Sequence, residues 1–86
     1  MSPANQYHYA MRLNNFFQRR YGASAHKRHQ YKDTSSGPQY HLLWEGTYSI
    51  DGIKYGVGKG SNKKDVKEAA AEETIRLLAQ ERVFVP

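Results

Sequence analysis

The chain has no cysteine, so neither a disulfide nor a thiolate metal site can hold it together. That absence suits a reducing compartment, and an intracellular protein, cytoplasmic or nuclear, is the expectation. No stretch approaches the ~20 consecutive apolar residues a membrane span requires. The first residues read neither as a secretory signal nor as an Arg/Ser-rich leader. Acidic residues are also scarce: eight Asp and Glu stand against thirteen Lys and Arg, a formal charge of +5. No group of acids is placed to hold magnesium, and no nucleophile, base and oxyanion donor form a set. His8, His26, His29 and His41 lack metal-ligand spacing, so zinc is not expected. These gaps argue against an enzyme and against any cofactor or metal.

What remains is 86 residues, 38% apolar, with seven Tyr, three Phe and one Trp. That is room for one domain, residues 1–86 with a core over about 7–80, and for a modest interior. A basic surplus of this size favours an anionic partner, most often nucleic acid.

Periodicity divides the chain. Over residues 4–21, Tyr9, Ala10, Leu13, Phe16, Phe17 and Tyr21 recur at helical spacing, with Pro3 suited to a first turn and Gly22 to a stop. Residues 22–27 read as a loop and 28–34 as a weakly alternating strand. Ser35-Ser36-Gly37-Pro38 has turn composition. Residues 40–50 read as a long strand, joined through Asp51-Gly52 in a tight hairpin to a strand over 53–57. A glycine-rich loop follows at 58–62. Residues 63–82 form the last helix, with Val66, Ala70, Ala71, Thr74, Ile75 and Leu78 in one stripe, Glu68 and Glu72 off it, and Ser61 or Asn62 as its cap. The order is α-β-β-β-α, an α+β fold: a three-stranded antiparallel sheet with both helices packed on one face.

The start of the last helix carries the chemistry. A helix N-terminus already bears roughly half a positive charge, so lysines there oppose the local electrostatic preference. This chain nevertheless places Lys63, Lys64 and Lys67 in that turn, with Lys59 before them and Asp65 as the turn's acid. An arrangement that breaks a local rule is where function is expected. Free N–H groups and three ammonium groups together suit phosphates, and the spread of the side chains suits two facing phosphate rows. Gly56, Gly58 and Gly60 do not complete a nucleotide-binding pattern, since Ser61 and Ile53 stand where glycine is needed. They read instead as a flexible approach that lets backbone and Lys59 near a ligand. Phe16, Phe17, Trp44, Tyr48 and Tyr55 read mainly as packing residues rather than a base-stacking platform.

Residues 58–71, GKGSNKKDVKEAAA, resemble the last-helix motif of the double-stranded RNA-binding domain family, with its glycines, Lys-Lys-x-Ala-Lys pattern and alanine pair. Leu13-Asn14-Asn15 with Gln18-Arg19-Arg20 resembles that family's first helix, and Gly37-Pro38 with Tyr40-His41 its first inter-strand loop. Val66 stands where the family usually has alanine, and Asn15 where it often has glutamate. The resemblance implies non-catalytic, shape-specific binding of A-form double-stranded RNA over ~16 base pairs, with two minor-groove contacts flanking a phosphate contact across the major groove. By position it assigns His8, Asn14 and Asn15 to the helix contact and Pro38, Tyr40 and His41 to the loop contact. Lys59, Lys63, Lys64 and Lys67 fall to the phosphates. It implies that the basic run His26-Lys27-Arg28-His29 faces away from RNA. The alternative is a protein-interaction or homodimerising version of the same fold, for which the apolar tail Val83-Phe84-Val85 is the candidate surface.

Overall fold

A computed structural model describes residues 8–86, so the reading of Pro3 and of residues 4–7 lies outside the described residues. Helix α1 runs Tyr9–Tyr21, a short helix α2 Ala25–Arg28, strand β1 His29–Ser36, β2 Leu43–Ile50, β3 Ile53–Gly60 and helix α3 Lys63–Gln80. The strands pair antiparallel in the order β1-β2-β3. The helices pack against the sheet, as the two apolar stripes require.

The registers show which ends meet. Ser36 pairs with Leu43 and Trp44 with Gly60, so the β1–β2 connection and the start of α3 lie at one end of the sheet. At the other end Ile50 meets Ile53 across a turn in which Asp51 (φ 52°) and Gly52 (φ 80°) are both left-handed. That geometry matches the twist of a two-residue hairpin. The Asp51 carboxylate accepts twice from the Arg28 guanidinium, which also lies 4.6 Å from the Tyr21 ring centroid. The turn is thereby tied to the α1–β1 connection.

Several boundaries differ from the sequence reading. Residues 22–27 are not a plain loop: a 3₁₀ turn, Gly22–Ser24, leads into α2. Ala25 is buried there, and His29 Nδ1–H donates to its carbonyl oxygen. Ser35 and Ser36 extend β1 rather than turning, and residues 39–41 form a 3₁₀ turn ahead of β2. The last helix ends at Gln80, and Arg82 is left-handed (φ 63°) as the chain turns into the tail.

The largest revision concerns the glycines. Residues 58–60 belong to β3, and two of the glycines exist for contact with α3. A Cβ at Gly56 would lie 2.3 Å from the Ala70 carbonyl oxygen, and one at Gly58 equally close to that of Val66. Only glycine lets strand and helix backbones approach this closely. The contact is hydrogen-bonded as well: buried Thr74 accepts from Gly56 N–H (3.0 Å) and donates to the Ala70 carbonyl (2.8 Å). Glu73 accepts from Val57 N–H (2.9 Å).

The core collects Leu13 and Phe17 of α1, Ala25 of α2, Tyr48 and Ile50 of β2, and Val66, Ala70, Ala71 and Leu78 of α3. Val85 closes its edge, while Arg12 Nε–H donates to the carbonyl of Pro86 (3.0 Å). The helices are joined at their starts. Glu68 Oε2 accepts from Tyr9 N–H (2.7 Å) and Oε1 from Ala10 N–H (3.0 Å). A residue assigned by periodicity to the outer side of α3 therefore caps α1 from a distance. Replacing Glu68 with Ala should lower the unfolding free energy by about 1 kcal/mol, the usual scale for removal of a helix cap. Glu68→Gln, which keeps an acceptor, should lose less; chemical denaturation of both variants checks the order.

Candidate nucleic-acid interface

The turn that opens α3 is built to leave its lysines available. Asn62 caps the helix: its Oδ1 accepts from Asp65 N–H (2.9 Å), and its Nδ2–H donates to Asp65 Oδ2 (2.8 Å). The acid of the turn is thus held by the cap. Among the described residues the ion pairs are Arg28–Asp51 and Arg76–Glu73, and neither involves Lys63, Lys64 or Lys67. All three lysines are exposed.

Two of them rest on aromatic rings. Lys63 Nζ lies 5.1 Å from the Trp44 ring centroid and Lys67 Nζ 5.2 Å from that of Tyr31. Contacts of this kind contribute ~0.5–1 kcal/mol at exposed sites. The floor beneath Lys67 is itself fixed. Tyr31 packs on Tyr48 with ring centroids 4.9 Å apart, and its buried hydroxyl sits over Gly46, where a Cβ would lie 2.1 Å from it. That hydroxyl has no hydrogen-bond partner among the described residues. Burial raises the Tyr31 hydroxyl above the usual phenol range and Tyr48's further still, so both rings stay neutral.

The other candidates fall into two groups around this turn. Asn14 and Lys67 line the same shallow cleft between α1 and α3, with His29 and Tyr31 at its base. His8, exposed and left-handed (φ 37°), precedes the α1 turn that Glu68 caps, one residue along from Lys67; Asn15 is exposed on α1. The second group is the β1–β2 connection. Pro38, Tyr40 and His41 are exposed there, and His41 N–H closes the turn onto the Pro38 carbonyl (2.8 Å). Gly37 (φ 93°) lets the chain fold back, since a Cβ there would meet the His41 carbonyl oxygen at 2.8 Å. Tyr40 is 90% exposed, an aromatic side chain with almost no packing of its own.

Lys59 is not gathered with the other lysines. Gly58 and Gly60 face α3, so Lys59 stands on the opposite, open side of the sheet across from Glu45. The basic run at 26–29 is partly structural: Arg28 binds Asp51, and His29 stacks on Phe17 with centroids 4.1 Å apart. Sequence reasoning missed Tyr31 and Trp44 as lysine supports. Their signal was present only in the pairing of strands with α3, which no local pattern shows.

The chain belongs to the double-stranded RNA binding motif family, whose model matches residues 9–78. It is 34% identical over 53 residues to ribonuclease 3 of Corynebacterium glutamicum, a match covering 62% of this chain and 22% of that enzyme. The chain thus spans about a fifth of that relative's length. Its fold is similar to a structure of Arabidopsis HYL1 described for its implications in miRNA processing (TM-score 0.67, 28% identity, 83% of this chain and 96% of the other). It is also similar to the first double-stranded RNA-binding domain of HYL1 (TM-score 0.65, 28% identity, 81% and 94% covered). No helix among the described residues is long and apolar enough to cross a membrane.

His29 gives this surface a pH dependence. Burial, with Lys67 and His26 nearby, holds its imidazole below the ordinary 6.5, although the bond to Ala25 opposes the shift. As pH falls through 6.5 the unfolded ring takes up a proton before the folded one does, so folding loses stability from there downward. The denaturation midpoint should therefore drop between about pH 7.5 and 5.5, and the drop should be shallower in His29→Phe, which keeps the stacking and removes the proton site.

Proposed function

We infer that the chain binds double-stranded RNA as a non-catalytic module, recognising the A-form duplex by shape. The observation that carries this is the lysine turn, where three exposed ammonium groups sit at a helix N-terminus without a carboxylate partner among the described residues. Such a turn binds phosphate regardless of sequence. Membership of the family supports the duplex as the ligand, and the RNA-processing relatives agree with it.

In this reading Lys63, Lys64 and Lys67 lie on phosphates across a major groove. His8, Asn14 and Asn15 enter one minor groove, and Pro38, Tyr40 and His41 the next, touching 2′-hydroxyls over ~16 base pairs. Asn side chains both donate and accept, as a hydroxyl partner requires. The whole chain acts as one binding domain, with Val85 packed on its core, and meets its RNA in the cytoplasm or nucleus.

Changing Lys63, Lys64 and Lys67 together to Ala should weaken binding to every duplex sequence alike. It should also lower the slope of log affinity against log salt by about 2–3, near one for each phosphate no longer neutralised. All three are exposed, so the fold should survive. Titration across a salt series, with duplex DNA and single strands as competitors, checks this. An unchanged slope, or a preference for duplex DNA, sinks the reading.

A second reading, self-association through the tail, rests on Phe84, which is 72% exposed between two residues that pack inward. It predicts a dimer mass in solution that reverts to the monomer in Phe84→Ser; a monomer at all concentrations removes it.

A further inference from the structure

His29 belongs by sequence to the basic run at 26–29, but the fold separates it from its neighbours. Arg28 turns to Asp51, whereas the His29 ring stacks on Phe17 and lies half-buried in the cleft that Asn14 and Lys67 share. Helix α2 sets the state of that ring. Its Nδ1–H donates to the Ala25 carbonyl (2.5 Å). A neutral imidazole carries one N–H, so the bond at Nδ1 leaves Nε2 a lone pair, an acceptor that donates nothing. Burial, with Lys67 and His26 nearby, keeps the ring neutral near pH 7. Among the described residues Nε2 has no hydrogen-bond partner. The cleft thus holds unlike groups within about 100 Å3, room for a single sugar hydroxyl between them. Lys67 offers only donors and suits a phosphate oxygen. Nε2 offers only an acceptor, which repels a phosphate oxygen and pairs with a hydroxyl.

We propose that His29 Nε2 accepts a hydrogen bond from a ribose 2′-hydroxyl, and that this contact distinguishes duplex RNA from duplex DNA. The proposal rests on the duplex-binding reading above, in which Asn14 enters a minor groove and Lys67 lies on phosphates of the adjoining major groove. One sugar–phosphate backbone separates two such grooves, and it crosses the surface between those two residues. In an A-form duplex the wide minor groove displays the 2′-hydroxyls, so the hydroxyl approaches from the Asn14 side and the phosphate from the Lys67 side. His29 lines the cleft between them and also the wider groove that runs past Asn14 and Gln18, so its ring is open to that approach. A deoxyribose presents a C–H there. Duplex DNA would displace water from Nε2 and leave the acceptor without a partner. An amide such as Asn14 can turn to another partner when the hydroxyl is missing, but Nε2 is held in place through Ala25 and cannot.

The test compares one duplex as RNA and in its 2′-fluoro form, which keeps the A-form shape but has no hydroxyl proton to donate. The wild-type protein should bind the RNA at least about tenfold more tightly, the scale of one hydrogen bond whose acceptor is otherwise left unpaired. His29→Phe keeps the stack on Phe17 and removes the acceptor. It should weaken RNA binding about tenfold and leave the 2′-fluoro duplex as before, so the preference narrows by that factor. Nitrogen-15 NMR reads the same contact without a substitution. The His29 Nε2 signal should move to lower frequency with the RNA and hold its position with the 2′-fluoro duplex. A loss in His29→Phe that is equal for both duplexes overturns the His29 proposal alone, as does an Nε2 signal that RNA leaves unmoved. If the wild-type protein fails to bind the RNA duplex at all, the duplex reading falls and the His29 proposal with it.

Discussion

The two amides that open α1 have no helical carbonyl to bind, and a single carboxylate, that of Glu68, accepts from both. Much of the molecule follows from that contact. It fixes the start of α1 against the second turn of α3, and so sets where Asn14 meets Lys67 in the cleft between the helices. It also decides where a negative charge goes. Glu68 adjoins Lys67 in sequence, and a free carboxylate there would sit beside the lysine turn. Directed at the positive end of α1, its charge is used to cap that helix.

The other acids around α3, the exposed Glu72 apart, follow the same pattern. Asp65 is held by Asn62, Glu73 accepts from the β3 backbone, and Glu81 accepts from the Tyr55 hydroxyl. Each has a structural partner other than a lysine. Among the described residues, no carboxylate therefore pairs with the lysines at the start of α3. By sequence alone the later acids of the helix stand idle with respect to its dipole. In the fold Glu68, Glu73 and Glu81 satisfy backbone and hydroxyl donors on two other elements, α1 and β3.

That difference marks how far the sequence can be read. Element order, the Asp51-Gly52 hairpin and the stripe from Val66 to Leu78 are legible because each depends on neighbours a few residues apart. The lysine turn is legible because it opposes a rule that is itself local. Gly56 and Gly58 pass for a flexible approach to a ligand because their partners, Ala70 and Val66, lie in another element. A glycine needed for close contact and one needed for mobility look alike in a sequence. Lys59 groups with Lys63 for the same reason, since the alternation that turns it to the open sheet face appears only once residues 58–60 are known to be strand.

The rings under Lys63 and Lys67 resolve the electrostatic problem the lysine turn creates. Cations in a first helical turn each cost about 0.3–1 kcal/mol, and a carboxylate partner would offset that cost at the expense of the charge a phosphate needs. A neutral aromatic face stabilises an ammonium group by a similar ~0.5–1 kcal/mol without cancelling its charge. It also limits the positions of a side chain that otherwise loses up to about 2 kcal/mol of rotamer freedom on binding. Trp44 and Tyr31 therefore let the turn remain both tolerable to the free protein and fully charged toward a ligand. Because burial keeps Tyr31 protonated well into the basic range, that support does not titrate away where RNA is handled. In the proposed reading the sheet side chains beneath α3 thus support the binding surface as well as the core, although no phosphate need touch them.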